Sequence, residues 1–270
     1  MGNLVTVVTG AASGLGRAAA THLDSQGHTV LGGGFGLPDT YLPFATRFLD
    51  VCDDESVRDF FVWAHEQAGR IDALVNCAGI QIAGALETML VEETQRILDT
   101  NVVGTVRCCR QVLPFMRAQG AGRIINVSSL GGRIAFPFHT SYCASKFAVE
   151  GLSECLRYEV RDFGIHVSVL APGSFYTPIA EKSECSANAD QDTVYAATLR
   201  RVVDANREEC RKRTDLLPFA RKVESILLCS RPKLRYFVGR SDQGMADQLR
   251  RWLPEGWMEA SIRRAFGLDK

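Results

Sequence analysis

The sequence predicts an α/β fold built on a parallel sheet, and three observations carry that expectation. Short β-branched or apolar runs alternate with longer stretches of helical periodicity, most of the short runs show no apolar/polar alternation, and a glycine-rich turn joins the first run to the first helix. Strands without alternation are what a sheet covered by helices on both faces requires. The βαβαβ rhythm implies parallel strands joined by crossovers, with ligands bound at the strands' carboxyl ends.

Taken in order, Val5–Thr9, Thr29–Gly32, Arg47–Leu49, Ala73–Asn76, Arg123–Ser128, His166–Leu170 and Leu234–Val238 read as strands. Helices are predicted near Leu15–Gln26, Glu55–Ala68, Glu92–Gln119, Ser141–Phe163 and Phe219–Leu228. Two regions break the rhythm. Gly32–Pro43 is rich in Gly and Pro and replaces the helix expected between the second and third strands. Thr177–Asp215 is polar and charged, with weak helical patterning, and reads as a substrate lid over the sheet's edge. A C-terminal extension at about 240–270 sets Leu249, Trp252, Leu253, Trp257, Met258, Ile262 and Phe266 among arginines. Core or subunit packing is its default role; a cap on the pocket or a helix on a membrane surface are the alternatives. With no repeat or low-complexity segment, residues 1–270 read as a single domain.

Composition excludes several classes of function. Lys plus Arg balance Asp plus Glu at 31 each, so no overall field draws the chain to nucleic acid. The nine cysteines are odd in number and show no C-x-x-C spacing, and the five histidines are scattered, so neither a disulfide framework nor a metal site is expected. No signal-peptide pattern and no apolar run near the ~20 residues of a membrane-spanning helix is visible. A cytoplasmic location is the expectation.

The turn Thr9-Gly10-Ala11-Ala12-Ser13-Gly14-Leu15-Gly16 leaves the first strand and opens the first helix. Its glycines let backbone approach a pyrophosphate, and the helix N-terminus offers free N–H groups and a favourable dipole. Spaced G-x-x-x-G-x-G, it differs from the commoner dinucleotide fingerprint. The residue that reads the adenosine ribose is expected where the second strand ends, yet Gly32, Gly33, Gly34 and Phe35 stand there. Asp50, in Leu49-Asp50-Val51, either bonds the adenine amino group or serves as a strand-end turn residue.

Tyr142 and Lys146, four apart in a helical segment, project from one face. A phenol is a poor base at neutral pH, and a neighbouring ammonium favours its ionised form. Tyr142 is therefore the candidate to take a proton from an alcohol or give one to a ketone. Ser129 follows the strand Arg123–Ser128 and would orient the substrate oxygen; Ser128, its rival, should face the other way. Asn76, in Asn76-Cys77-Ala78-Gly79, lies at the same sheet edge. Ala135-Phe136-Pro137-Phe138-His139 supplies rings that either wall the pocket or fill the core, with His139 read as a surface loop residue or, as the alternative, one that reaches substrate. Cys108 and Cys109, between Arg107 and Arg110, read as a helix flank and not a redox pair.

In this order the residues resemble the short-chain dehydrogenase/reductase family from about Val5 to Gly239. The carriers are Thr9-Gly10-x-x-x-Gly14-x-Gly16, Asn76-Cys77-Ala78-Gly79, Asn101-Val102-Val103-Gly104, Ser129, Tyr142-x-x-x-Lys146 and Pro172-Gly173. The nearest branches are those of hydroxysteroid, retinol and 3-hydroxybutyrate dehydrogenases. The resemblance implies a doubly wound, Rossmann-type sheet of seven parallel strands with helices on both faces. It also implies NADP- or NAD-dependent hydride transfer on a secondary alcohol or ketone with a hydrophobic, steroid-, retinoid- or aromatic-like body. Ser129, Tyr142 and Lys146 become the catalytic triad, and Asn101 a fourth member holding a water in a proton relay from Lys146. The expected cofactor contacts are Gly10, Ser13, Gly14, Leu15, Gly16, Asp50, Val51, Asn76, Ala78, Gly79, Tyr142, Lys146, Pro172, Gly173 and Thr177. Ser13 tilts the choice toward NADP, and relatives suggest a homodimer or homotetramer. Two rival readings remain: a weakly catalytic regulatory or scaffold protein that binds cofactor on this fold, and a lyase, epimerase or dehydratase.

Overall fold

The computed structural model describes residues 2–37, 41–177, 184–189, 194–244 and 254–268. Seven strands form one sheet: β1 (Val5–Thr9), β2 (Thr29–Gly34), β3 (Ala45–Phe48), β4 (Ala73–Asn76), β6 (Gly122–Val127), β7 (Ile165–Pro172) and β9 (Arg235–Val238). Their order is β3-β2-β1-β4-β6-β7-β9, and every pairing is parallel. This is the doubly wound arrangement, in which the strand order reverses beside β1 and opens a crevice at the carboxyl ends. Register lines the ends up, with Thr9 opposite both Gly33 and Asn76, and Asn76 opposite Asn126.

Helices cover both faces. The apolar stripes of α1 (Gly14–Ser25) and α7 (Leu217–Leu227) meet Val8, Val75 and Ile125 in one core, through residues such as Leu23, Phe219 and Val223. On the other face α2 (Asp54–Ala68), α4 (Gly104–Gln119) and α5 (Thr140–Val160) bury Phe60, Phe61, Val112 and Leu156 against Val7, Leu74 and Ile124. Caps fix the ends of α2: Asp53 accepts from the Ser56 N–H at 2.8 Å, and Gly69 closes it in the left-handed region at φ 70°.

The departures from expectation are local. Strand β2 runs two residues further than predicted, to Gly34, and no helix joins it to β3 among the described residues. The long helix predicted over Glu92–Gln119 is α3 (Val91–Leu98) and α4, separated by a turn of π-helix at Asp99–Val103. Such turns recur at functional sites, and here a Cβ at Gly104 would come within 2.9 Å of Val51, so the chain must pass close. A second, two-stranded parallel sheet pairs β5 (Ile82–Ala83) with β8 (Glu184–Cys185), neither of them expected. The region read as a weakly patterned lid holds a regular helix, α6 (Ala196–Arg211), whose Leu199 and Val203 pack on Ala83 and Ala189. Helix α8 (Glu255–Ala265) lies in the C-terminal extension; Leu249, Trp252 and Leu253 fall outside the described residues.

Candidate active site

The crevice opens into a cleft of about 880 Å³. At one end lies the glycine-rich turn. Gly10 sits at φ 67° and Gly14 at φ 54°, both in the left-handed region. A Cβ at Gly16 would stand 2.3 Å from the Gly10 carbonyl oxygen, and one at Gly10 would stand 2.9 Å from the Ala78 nitrogen. The turn therefore closes only with glycine. Thr9 Oγ1 accepts from the Cys77 and Ala78 N–H groups, both at 3.1 Å, and so ties the loop after β4 to β1. Ser13, the N-cap of α1, bonds none of the helix's N–H groups, which leaves its exposed hydroxyl to a ligand. The tight backbone, the free helix N-terminus and this hydroxyl fit a dinucleotide pyrophosphate.

The opposite end carries the side chains that bear protons. Ser129 Oγ accepts from the Gly131 N–H at 3.0 Å, which leaves its own hydrogen for a partner, and Ser129 and Tyr142 both border the cleft. Burial pushes the Tyr142 phenol up to about 12, and the nearby Ser129 hydroxyl pulls it partly back. Lys146 stands one helical turn on, its Nζ 5.9 Å from the Tyr142 ring centre and donating to the Val127 carbonyl at 3.0 Å. Burial brings its ammonium down to about 8, against a smaller upward pull from Cys77. The pair thus differs from the expected picture of an amine acidifying a phenol. Desolvation governs both groups, favouring neutral tyrosine and a lysine that exchanges its proton near neutral pH. Gly79 leaves room for the Asn101 amide, since a Cβ there would lie 3.1 Å from its Oδ1.

The other predicted residues divide. Leu15, Ala78, Gly79, Pro172, Gly173 and Thr177 border the cleft together with Gly10, Ser13, Gly14 and Gly16. Asn76 does not. Its Nδ2 donates to Asn126 at 2.9 Å inside the sheet's helical layer, in a chain continued from Asn126 to Ser153 at 2.9 Å. Asp50 accepts from the Cys52 N–H at 2.8 Å, the turn role, and Val51 packs against Gly104; neither borders the cleft. Asn101 is 1% exposed, and its amide is spent on a clamp: Oδ1 accepts from Ile80 at 2.8 Å, while Nδ2 donates to the Ile80 carbonyl at 3.0 Å and to Ser145 at 2.9 Å. It fastens the loop after β4 to the helix that bears Tyr142. Ser128 also borders the cleft, with its hydroxyl 3.4 Å from the Lys146 carbonyl.

His139 is not the surface residue preferred from the sequence; it borders the cleft, where the alternative reading put it. It is 2% exposed rather than superficial, its Nδ1 lies 2.9 Å from the Pro137 carbonyl, and burial depresses its pKa. The preceding residue, Phe138, holds φ 60°, strained for a side chain of that bulk. Each reading of the aromatic run holds for one ring: Phe136 walls the cleft, while Phe138 packs on Tyr195 and the small core beside β5. From the C-terminal extension Met258, Ile262 and Phe266 border the cleft, with Phe266 5.9 Å from Phe136. Gln243 is an addition to the predicted set; it bonds Ser174 and crosses over Gly173. No sequence signal marks it. Cys108 and Cys109 are buried thiols with strongly raised pKa values, as a helix flank requires.

Fold and cleft together define a dinucleotide-dependent oxidoreductase. The pattern of the short chain dehydrogenase family matches residues 4–187, and the chain belongs to that family. Its members are NAD(P)-dependent enzymes acting on small alcohols and ketones, and this chain is an oxidoreductase of that kind. Among relatives, the 3-ketodihydrosphingosine reductase of Bacteroides thetaiotaomicron is 35% identical over 264 residues, covering 98% of each chain. A short-chain dehydrogenase of Streptomyces avermitilis superposes with TM-score 0.78 at 32% identity, over 96% of this chain and 98% of that one. Actinorhodin polyketide ketoreductase with NADPH gives TM-score 0.72 at 27% identity, over 88% of this chain and 95% of the other. No helix among the described residues is long and apolar enough to cross a membrane.

Proposed function

We propose that the protein reduces a ketone on a hydrophobic body to a secondary alcohol with NADPH, and catalyses the reverse reaction less readily near neutral pH. The observation that carries this is Tyr142, beside Ser129 and one helical turn from Lys146 on the lining of a cleft whose other end is a glycine cradle. When bound, the reduced dinucleotide supplies the hydride. Ser129, oriented by Gly131, donates a hydrogen bond to the substrate carbonyl. Tyr142, with its pKa near 12, holds its proton at pH 7 and passes it to the same oxygen as negative charge develops. Lys146, near 8, returns a proton to the phenolate. Alcohol oxidation needs that phenolate first, which favours the reductive direction.

Three features support the finer choices. No carboxylate occupies Gly32–Phe35 to repel a 2′-phosphate, and the Ser13 hydroxyl is free to bond one. The cleft's far wall is apolar, with Ile134, Phe136, Met258 and Phe266. Exposed Phe147 and Tyr158 on α5 suit pairing with a second copy. The test is to titrate the purified protein with NADPH and NADH and follow the nicotinamide absorbance against hydrophobic ketones. The expected result is tighter NADPH binding and ketone-dependent oxidation of it. Binding without any absorbance change would favour the regulatory or scaffold reading, and product formation without net cofactor oxidation would favour a lyase or epimerase.

A further inference from the structure

Glu150 is 6% exposed, and a carboxylate is rarely buried so far unless it is paired. It stands in α5 one helical turn beyond Lys146, and each of its oxygens serves a different element. Oε1 accepts from Arg133 Nε at 3.2 Å, and Oε2 accepts from Arg235 Nε at 3.0 Å. Arg235 Nη2 goes on to Glu154 at 2.6 Å, and Arg133 Nη2 donates to the Tyr236 carbonyl at 3.1 Å. Buried ion pairs are weak evidence for stability, since apolar residues of similar volume often serve as well. What this pair joins is the thing to explain.

Arg133 ends the segment that begins with Ser129. Leu130–Gly132 form a single 3-10 turn, closed by the Gly131 N–H to Ser129 Oγ and the Gly132 N–H to the Ser129 carbonyl, both at 3.0 Å. The Arg133 N–H then bonds the Leu130 carbonyl at 2.9 Å. These bonds make Ser129 and Arg133 the two ends of one compact unit. That unit also meets α5 directly: a Cβ at Gly132 would stand 2.8 Å from the Lys146 carbonyl oxygen. One point of contact fixes how near the turn lies to the helix but lets it swing. A second, at Arg133 on Glu150, removes the swing.

We propose that Glu150 is a positioning residue: through Arg133 it holds the turn bearing Ser129 in fixed register with Tyr142 and Lys146 on the same helix. Glu150 itself lies off the lining of the cleft, and its other arm, Arg235, ties α5 to β9. The proposal rests on the reading of Ser129 and Tyr142 given above.

Glu150→Gln tests it. The variant keeps the shape, but its one carbonyl oxygen can accept from only one of the two guanidinium groups, and its amide N–H groups face the other. A misplacement of about 1 Å costs on the order of 10²-fold in rate, so kcat for a hydrophobic ketone should fall by about 10- to 100-fold. Dinucleotide affinity by fluorescence titration should stay unchanged. Arg133→Gln should give the same result, and it replaces Glu150→Gln if that variant does not fold. Arg235→Gln leaves Arg133 its carboxylate and should keep kcat near the parent's.

A double-mutant cycle with Ser129→Ala separates positioning from general damage. Once Ser129 is alanine, Glu150→Gln should have no further effect on kcat. An equal fall in both backgrounds, or no fall in the parent, overturns the positioning role and leaves the reductase reading intact. If the parent turns over no ketone, amide hydrogen exchange decides. Faster exchange at Gly131 and Gly132 in the variants, with α5 unaltered, upholds the latch and sinks the reductase reading; unaltered exchange sinks both.

Discussion

The floor and the roof of the cleft are built to different standards. On the floor, Asn101, Ser145 and Lys146 are 1%, 0% and 7% exposed, and each is held by hydrogen bonds that cross between elements or reach the sheet. Nearby, Arg133 and Arg235 both pair with Glu150 at about 3 Å, and Arg133 also donates to the Tyr236 carbonyl, fastening the segment after Ser129 to α5 and β9. The roof consists of α6, α8 and Gln243, and it meets the body through a few side chains and exposed ion pairs such as Arg240 with Glu209. The contrast separates two demands. On the proposed reading, proton transfer, which tolerates little displacement, falls on rigid elements, and substrate choice falls where sequence can vary without disturbing the core.

That contrast breaks if floor substitutions behave like roof ones. The largest effect should come from Tyr142→Phe. Loss of the phenol at the floor is expected to lower kcat by 10²- to 10⁴-fold, with dinucleotide affinity by fluorescence titration nearly unchanged; a drop of less than tenfold would mean that another group delivers the proton.

Lys146→Met sharpens the comparison through stability. A fall from the ordinary 10.5 to about 8 corresponds to about 3 kcal/mol of unfavourable burial at neutral pH, offset in the variant by the partner that the Val127 carbonyl loses, at roughly 1–3 kcal/mol. A net gain of about 1 kcal/mol at pH 7 is therefore expected in urea unfolding, together with loss of activity. The sign follows from linkage. Between pH 8 and 10.5 the unfolded chain binds more protons at this site than the folded protein, so the parent's stability rises with pH while the variant lacks that slope. The variant's advantage should shrink across that window; an advantage that grows with pH would show that burial does not set the lysine's pKa.

The smallest effect is expected on the roof. Phe266→Ala should raise KM for a bulky ketone several-fold and leave kcat within about twofold, since it removes binding made equally in the ground and transition states. A kcat collapse in steady-state kinetics would place α8 in the chemistry after all.

Much of this site is legible in the sequence, and the reason is geometric. A parallel sheet puts its chemistry at strand ends, so strand boundaries place Gly10 and Ser129, and the Tyr142-x-x-x-Lys146 spacing on a helix places Tyr142. What escapes depends on contacts far apart in sequence. The burial of His139 is set by packing that no local pattern encodes, and its loop position suggests the reverse. Asn76 earns a place in the predicted site by standing at a strand end, but its amide points into the helical layer to Asn126, fifty residues away. The π-turn at Asp99–Val103 hides inside an unbroken helical periodicity because one extra residue barely shifts the pattern. Charge alone predicts that the lysine acidifies the tyrosine, whereas the buried setting makes desolvation the larger force.

With no helix between β2 and β3 among the described residues, the sheet ends in a four-residue outer rail beside which Phe35 is 72% exposed and Phe48 52% exposed, their rings 5.7 Å apart. Unpaired backbone on an outermost strand invites a foreign strand to zip on, and shortness is a common defence. Among the described residues this margin, on the opposite side of the sheet from β9, is therefore a place where charged substitutions at Phe35 should reduce association without touching the cleft.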